Sequence, residues 1–322
     1  MVRGVIALLV AALLFSCTPH LLPEGAYKGP MISTHSQYDH RIEIDEVVSI
    51  LKQARISKVF LSGILRRQNK EVLAAAHKYP DLVIPAAKTK LWSYLRGAPG
   101  WSDYLENIKA SKIFAGMQEL LLYHAAKINP RGVQTAPEIV VGASEERVAQ
   151  AIAAAGARGW PVTLHYEFRH QRNQGDPRRK QFFDEMEALL RKHRDRAFTL
   201  MHMAQLEREE VEALIRAHPN VYFQLSMAAN VYRPMMPEPW TYMFAEGGEL
   251  GELEPEWKKI LETHPERFLL AFDGVFAGLW RRAVVRDAQE WRAALGTLGK
   301  RAARLIAHEN AERLWPALRG LR

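Results

Sequence analysis

The 322-residue sequence contains a single cysteine, Cys17, so no disulfide framework can form within the chain. No glycine-rich phosphate-binding turn follows the early strand-like segments, which disfavours a doubly wound nucleotide-binding sheet. The basic segment RHQRNQGDPRRK, residues 169–180, has no interleaved aromatic side chains. It therefore argues against nucleic-acid binding despite a net charge of +8. Beyond residue 30 no long linker or low-complexity stretch interrupts the chain.

The N-terminus has the pattern of an export signal. A basic start containing Arg3 precedes an apolar run, Val5 to Phe15, that is too short to span a bilayer. Ser16 and Cys17 follow and resemble a bacterial lipobox, in which the cysteine is lipidated. We therefore expect a signal peptide at 1–16, a lipidated cysteine and tether at 17–28, and one folded domain at 29–322. A plain signal peptide or an uncleaved anchor are the alternatives.

Short apolar runs alternate with amphipathic helical patterns through the remaining chain. The sequence predicts eight strands at residues 31–36, 58–64, 81–88, 113–120, 161–168, 197–204, 220–227 and 267–274. It predicts helices at residues 43–55, 69–79, 144–158, 181–194, 207–217, 255–263, 286–296 and 299–316. This rhythm indicates the α/β class and a single (β/α)8 TIM-type barrel.

Five acid or imidazole side chains interrupt or end the apolar strands: His35, Glu119, His165, His202 and Asp273. Each alone could be structural, such as a hydrogen-bonded core histidine or an aspartate in a turn. Chemistry in such barrels gathers where the strands end at their carboxyl side. Together, three imidazoles and two carboxylates are the ligand set of a divalent transition metal such as zinc.

These segments resemble the amidohydrolase superfamily, in particular its amidohydrolase-related branch of metal-dependent hydrolases and decarboxylases. The resemblance extends from His35 to Trp315 and is carried by MISTHSQ, VTLHYEF, TLMHMAQ, HPNVYFQLS, HPERFLLAFDG and ENAERLW. It implies one zinc or manganese ion held by His35, His165 and Asp273. It further implies that His202 orients or polarises the reactants, that Asp273 also takes a proton, and that Glu119 is a further metal ligand. The implied reaction is hydrolysis of an amide, lactone or ester, or decarboxylation of an aromatic acid.

The first motif departs from the family at one position, because Gln37 replaces the second histidine of His-x-His. An amide oxygen is a weaker zinc ligand than an imidazole. The centre could bind a metal without Gln37, could favour an ion that accepts oxygen ligands, such as manganese, or could bind none. In the last case the chain would be a binding lipoprotein.

Residues outside the strands are candidates for binding a small-molecule substrate. Arg169 and Arg172 follow the fifth strand and could grip a carboxylate or phosphate, or could lie on a solvated loop. The basic stretch that contains them could instead meet anionic lipid headgroups. The segment 228–256 carries Tyr232 and Trp240 and is typical of a lid over the barrel mouth, with Trp92 and Trp101 adding to its wall. With the lipid anchor, we expect an exported protein held at a membrane of the cell envelope.

Overall fold

The computed structural model describes residues 22–88, 113–128, 131–236 and 239–318. The predicted signal peptide, Cys17, Trp92 and Trp101 lie outside these ranges. Within them, no helix combines the length and apolar character needed to cross a membrane.

The described residues contain thirteen strands, and nine of these occupy the eight strand positions of the barrel. The strands are β1 (Ile32–Tyr38), β2 (Lys58–Gly63), β3 (Val83–Ala87), β4 (Gly116–Met117), β5 (Leu120–Leu121), β6 (Tyr123–His124), β7 (Lys127–Ile128), β8 (Gln134–Ala136), β9 (Ile139–Val140), β10 (Val162–His165), β11 (Phe198–Leu200), β12 (Val221–Gln224) and β13 (Phe268–Leu269). Strands β1 to β4 pair in order, and β5, β10, β11, β12 and β13 form a second parallel sheet.

Backbone hydrogen bonds join these two sheets into one ring. Strands β4 and β5 are two halves of the fourth barrel strand, since β4 pairs with β3 and β5 pairs with β10. On the other side, Thr34 N–H donates to Leu270 O and Asp273 N–H donates to His35 O, at 2.9 and 3.1 Å. The structure therefore confirms the barrel that the sequence predicts.

Helices surround the ring. They are α1 (Ile44–Gln53), α2 (Asn69–Lys78), α3 (Glu146–Gly156), α4 (Phe168–Asn173), α5 (Arg179–Lys192), α6 (Arg208–Ala217), α7 (Pro255–Thr263), α8 (Ala277–Arg282), α9 (Val284–Gly296), α10 (Lys300–Arg304) and α11 (Asn310–Leu314), with a π-helical segment at Leu305–Glu309. Short 3-10 turns lie at Met201–Gln205, Asn230–Tyr232, Pro265–Arg267 and Pro316–Leu318. The apolar residues of each longer helix recur at helical spacing, so one face packs on the strands.

The C-terminal segment closes one end of the barrel. Trp315 packs on Phe60 with ring centroids 5.0 Å apart, inside a small core cluster that also contains Ile32 and Leu269. Gly116 permits this contact, because a Cβ there would lie 3.2 Å from Trp315 Nε1. The carboxyl ends of the strands form the opposite end of the ring, where the polar side chains lie.

Several details differ from the sequence-based expectation. The eighth strand, expected at residues 267–274, is limited to Phe268–Leu269. The fourth strand is split in two, and the sixth strand ends at Leu200 rather than at residue 204. The last predicted helix is divided by its π-helical segment. The strands β6 to β9 and the short helices α4 and α8 were not expected, because runs of two to six residues carry too little periodicity to be recognised.

Candidate metal centre

The five strand-end residues predicted from the sequence come together at the carboxyl end of the barrel. They are His35 in β1, Glu119 between β4 and β5, His165 at the end of β10, His202 after β11 and Asp273 after β13. Each is at most 4% exposed. Buried ionisable groups are costly unless they are paired or bind a metal ion, so this cluster requires an explanation.

Glu119 lies at the middle of one half of the cluster. Its Oε2 is 2.6 Å from His165 Nδ1, and its Oε1 is 3.8 Å from His35 Nε2. Glu119 can occupy this point because the chain between β4 and β5 passes from one sheet to the other. The carboxylate therefore faces imidazoles from two separate strands.

Asp273 connects the other half. Its Oδ1 is 3.5 Å from His35 Nε2, and its Oδ2 is 3.6 Å from His202 Nε2. The second ring nitrogen of His202, Nδ1, is 2.8 Å from the hydroxyl oxygen of Ser226. Ser226 thus fixes the His202 ring so that its Nε2 faces the carboxylate.

Unusual backbone conformations aim both of these side chains. His202 has φ 51°, and the left-handed conformation continues through Gln205; Asp273 has φ 40°. For residues other than glycine this conformation costs about 1–2 kcal/mol each. The backbone N–H of His170 donates to Gln205 Oε1 at 3.1 Å, which ties the left-handed turn to α4. Strain of this kind is commonly found at functional sites, where the surrounding structure enforces it.

Gln37, the departure from the His-x-His motif, is fully buried within the same cluster. Its amide nitrogen is 3.0 Å from His35 Nε2 and donates to Glu119 Oε1 at 3.1 Å. Its Oε1 is buried without a hydrogen-bond partner among the described residues. Gln37 therefore links two predicted ligands and also holds an oxygen atom that a bound group could satisfy.

The donor set fits a divalent ion. Glu119, His165 and His202 can each present one ligand atom such that all of these atoms lie within 4.8 Å of one another. His35 and Asp273 adjoin this group at the distances given above. Mixed imidazole and carboxylate donors suit zinc and manganese. His124, His165 and Glu167 form a second such group, also within 4.8 Å.

Glu167 and Lys127 are parts of the centre that the sequence analysis missed. Glu167 Oε1 lies 3.1 Å from His165 Nε2 and 2.7 Å from Lys127 Nζ, and its Oε2 accepts the Ala125 N–H at 2.9 Å. The spacing His-Tyr-Glu at residues 165–167 was a signal, because residues two apart in an extended segment point the same way. Lys127 lies in the unexpected strand β7, so no pattern pointed to it.

Electrostatics couple His165 to its two carboxylates. Burial alone lowers the pKa of His165, but Glu119 and Glu167 outweigh it, so the pKa is raised above its ordinary value. Burial alone would raise the pKa of Glu167, yet Lys127 and His165 hold it well below the usual range. Glu167 is therefore an ionised carboxylate inside the protein.

The structure places the four predicted substrate-binding residues in different settings. Arg169 donates to Trp240 O and Glu207 at 2.9 Å each, and Arg172 pairs with Glu207 at 2.8 Å. Tyr232 is buried, and its hydroxyl donates to Phe272 O and Asp287. Trp240 lies against the centre, with its ring centroid 4.5 Å from that of His202. Their part in substrate binding stays a prediction.

A cavity of about 460 Å³ opens beside the centre. Its lining includes Tyr123, Lys127, Ile128, Glu138, His170 and Arg178. Lys127 belongs both to this lining and to the Glu167 ion pair. The side chains of Lys127 and Glu167 therefore connect the cavity to His165.

No protein-family model matches the sequence, and none of the curated proteins matches it. Solved structures do. A TIM-barrel protein from Bordetella bronchiseptica is 14% identical, with a TM-score of 0.57, over 90% of this chain and 99% of its own. A 5-carboxyvanillate decarboxylase from Sphingomonas paucimobilis is 10% identical, with a TM-score of 0.53, over 89% of this chain and 99% of its own. An amidohydrolase II is 13% identical, with a TM-score of 0.52, over 88% of this chain and 99% of its own. The comparisons thus show the fold: this chain is a TIM-type barrel, and its structural neighbours include an amidohydrolase, the group its motifs resemble.

Proposed function

We propose that this protein is a metal-dependent hydrolase of the amidohydrolase superfamily, acting on an amide, lactone or ester bond. One observation carries the proposal: three imidazoles and two carboxylates from five barrel strands converge, buried, at the carboxyl end of the ring. A structural core gains nothing from assembling these groups, since each is costly to bury. A hydrolytic centre needs them.

His35, Glu119, His165, His202 and Asp273 would hold one divalent ion, zinc or manganese. Such an ion lowers the pKa of water towards ~7 and polarises a carbonyl group. The unpartnered Oε1 of Gln37 adds an oxygen donor beside His35. An added oxygen favours an ion that accepts oxygen ligands, manganese before zinc.

Asp273 is the proposed proton acceptor. Its carboxylate lies within 3.6 Å of His35 and His202, so it can take a proton from water in the centre and return it to the leaving group. His202, which the Ser226 hydroxyl fixes at Nδ1, presents Nε2 towards the same point and orients the substrate carbonyl.

Trp240 and the cavity lined by Lys127 are the proposed substrate site. The indole lies beside the His202 ring at an angle of 55°, and its buried N–H has no acceptor among the described residues. A substrate acceptor atom would satisfy this donor. The cavity beside Lys127 has room for a small organic molecule. We propose that Arg169 holds Trp240 in this position by donating a hydrogen bond to its backbone oxygen.

The test is elemental analysis of the purified protein and of His165→Ala, followed by a screen of esters, lactones and amides. We expect about one zinc or manganese ion per wild-type chain and loss of both ion and activity in the variant. His77→Ala, an exposed histidine on α2, is the matched control and should retain both. Absence of metal from the wild type, even after incubation with both ions, would contradict the proposal and favour a binding protein.

Decarboxylation is the second candidate, because a 5-carboxyvanillate decarboxylase shares the fold. The same centre would then act on an aromatic acid. Release of CO₂ from aromatic carboxylates, with no hydrolysis of esters, lactones or amides, would favour this reaction.

We also propose that Cys17 carries a lipid anchor that holds the protein at a membrane of the cell envelope. The observation is the lone cysteine after an apolar run. Labelled palmitate should be incorporated by the wild type and not by Cys17→Ser; equal labelling would refute the anchor.

A further inference from the structure

The group formed by His124, His165 and Glu167 has the donor atoms of a second metal site, but a lysine side chain reaches into it. Lys127 Nζ lies 2.7 Å from Glu167 Oε1, the same oxygen that faces His165 Nε2 at 3.1 Å. The rings of His124 and His165 are 5.4 Å apart. An ammonium group is thus paired with one of the three residues that could otherwise bind a cation.

We propose that Lys127 takes the place of a second metal ion and thereby restricts the centre to one ion. The inference rests on the proposed function, because it concerns the same centre. An ammonium is a compact point charge, so it satisfies Glu167 and repels a divalent cation from that position.

The two ring nitrogens of His165 face different carboxylates. Nδ1 faces Glu119, on the side of His202, whereas Nε2 faces Glu167, on the side of Lys127. A metal-binding histidine commonly donates its other ring N–H to a carboxylate, which orients the ring. Lys127 and the Ala125 N–H hold Glu167 in that role as a hydrogen-bond partner. Lys127 is therefore a positioning residue.

The charges agree with a single ion. Histidines that bind a metal ion are neutral. In the ion-bound centre the carboxylates of Glu119, Glu167 and Asp273 and the ammonium of Lys127 would therefore leave two negative charges, which one divalent cation balances. Without the ammonium, three negative charges remain buried together. Removal of Lys127 should therefore open the position for a further cation.

The test counts metal ions per chain after saturation with zinc or manganese and gel filtration. Lys127→Ala should hold one ion more than the wild type. Lys127→Arg, which keeps the positive charge, and the double variant Lys127→Ala/Glu167→Gln, which removes the vacated carboxylate, should match the wild type. Lys127→Met keeps an unbranched side chain without the ammonium, which lies 5.7 Å from the Trp240 ring centroid. It should give the count expected for Lys127→Ala if the alanine variant does not fold.

The difference between the variants decides the inference, and the wild-type count decides the proposed function. One extra ion that disappears in the double variant supports the role of Lys127. Equal counts in the wild type and the folded Lys127→Ala or Lys127→Met variant would overturn it, and so would an extra ion that persists in the double variant. A wild-type count of zero would contradict the metallohydrolase alone.

Discussion

The hydroxyl of Ser226 should be worth measurable stability and activity, because it is the hydrogen-bond partner of His202 Nδ1. The two atoms are 2.8 Å apart, and both residues are buried. Ser226→Ala removes the partner while leaving the imidazole in place. A buried polar atom that loses its partner costs about 1–3 kcal/mol. The unfolding midpoint should therefore fall by about 2 °C for each kcal/mol lost.

The same substitution should affect catalysis, since the His202 ring loses the contact that orients it. We expect kcat to fall by about 10- to 100-fold, which corresponds to about 1.4–2.7 kcal/mol of transition-state stabilisation. Thermal unfolding by circular dichroism and steady-state kinetics on a substrate found in the screen would measure both effects.

Ser62→Ala is the matched control. Ser62 lies in β2 and is equally buried, but its hydroxyl has no hydrogen-bond partner among the described residues. Its removal should leave stability unchanged or slightly increased, because no bond is lost. If Ser226→Ala and Ser62→Ala lower the unfolding midpoint equally, the Ser226–His202 hydrogen bond contributes no measurable stability and the prediction is wrong.

Two further predictions concern stability away from the centre. Arg55, exposed after α1, has φ 55° and closes the helix with its N–H on Lys52 O at 3.0 Å. Arg55→Gly should stabilise the protein by about 0.5–1 kcal/mol in urea unfolding, whereas an equal gain in Arg55→Ala would show that charge and not backbone strain is responsible. Burial raises the pKa of Asp287 well above its usual value, against the opposing hydrogen bond from Tyr232. The stability that Asp287 contributes is therefore complete below its pKa in the unfolded chain and is lost as the pH rises through its pKa in the folded protein. The stability advantage of Asp287→Asn over the wild type should thus be larger at pH 8 than at pH 4. A pH-independent difference would contradict this.

The sequence predicted the barrel and five residues of the centre because these residues interrupt apolar strands. His165 and His202 stand in segments of Val, Leu, Met and Phe, where a polar side chain is conspicuous. The strand order then places them at one end of the ring. Pattern and topology together were sufficient for this part.

Residues that reach the centre from irregular segments could not be predicted in this way. Lys127 lies in a two-residue strand whose position depends on pairing with β8. The left-handed turn that begins at His202 contains no glycine to signal it. Arg169 and Arg172 were recognisable as basic, but only the fold shows that both pair with Glu207. The two arginines thus depend on a contact with a residue distant in sequence.

Gln37 stands where the resembled motif has a second histidine, and its side chain contacts the cluster. A carboxamide carries both a donor and an acceptor, so its N–H group can hold Glu119 while its oxygen stays available to a cation. Because an amide nitrogen can only donate, His35 Nε2 is the acceptor of this contact, and an ion bound at that nitrogen would have to replace it. The substitution therefore changes the donor set from nitrogen towards oxygen and keeps the ligands connected. That change is a reason to assay manganese alongside zinc.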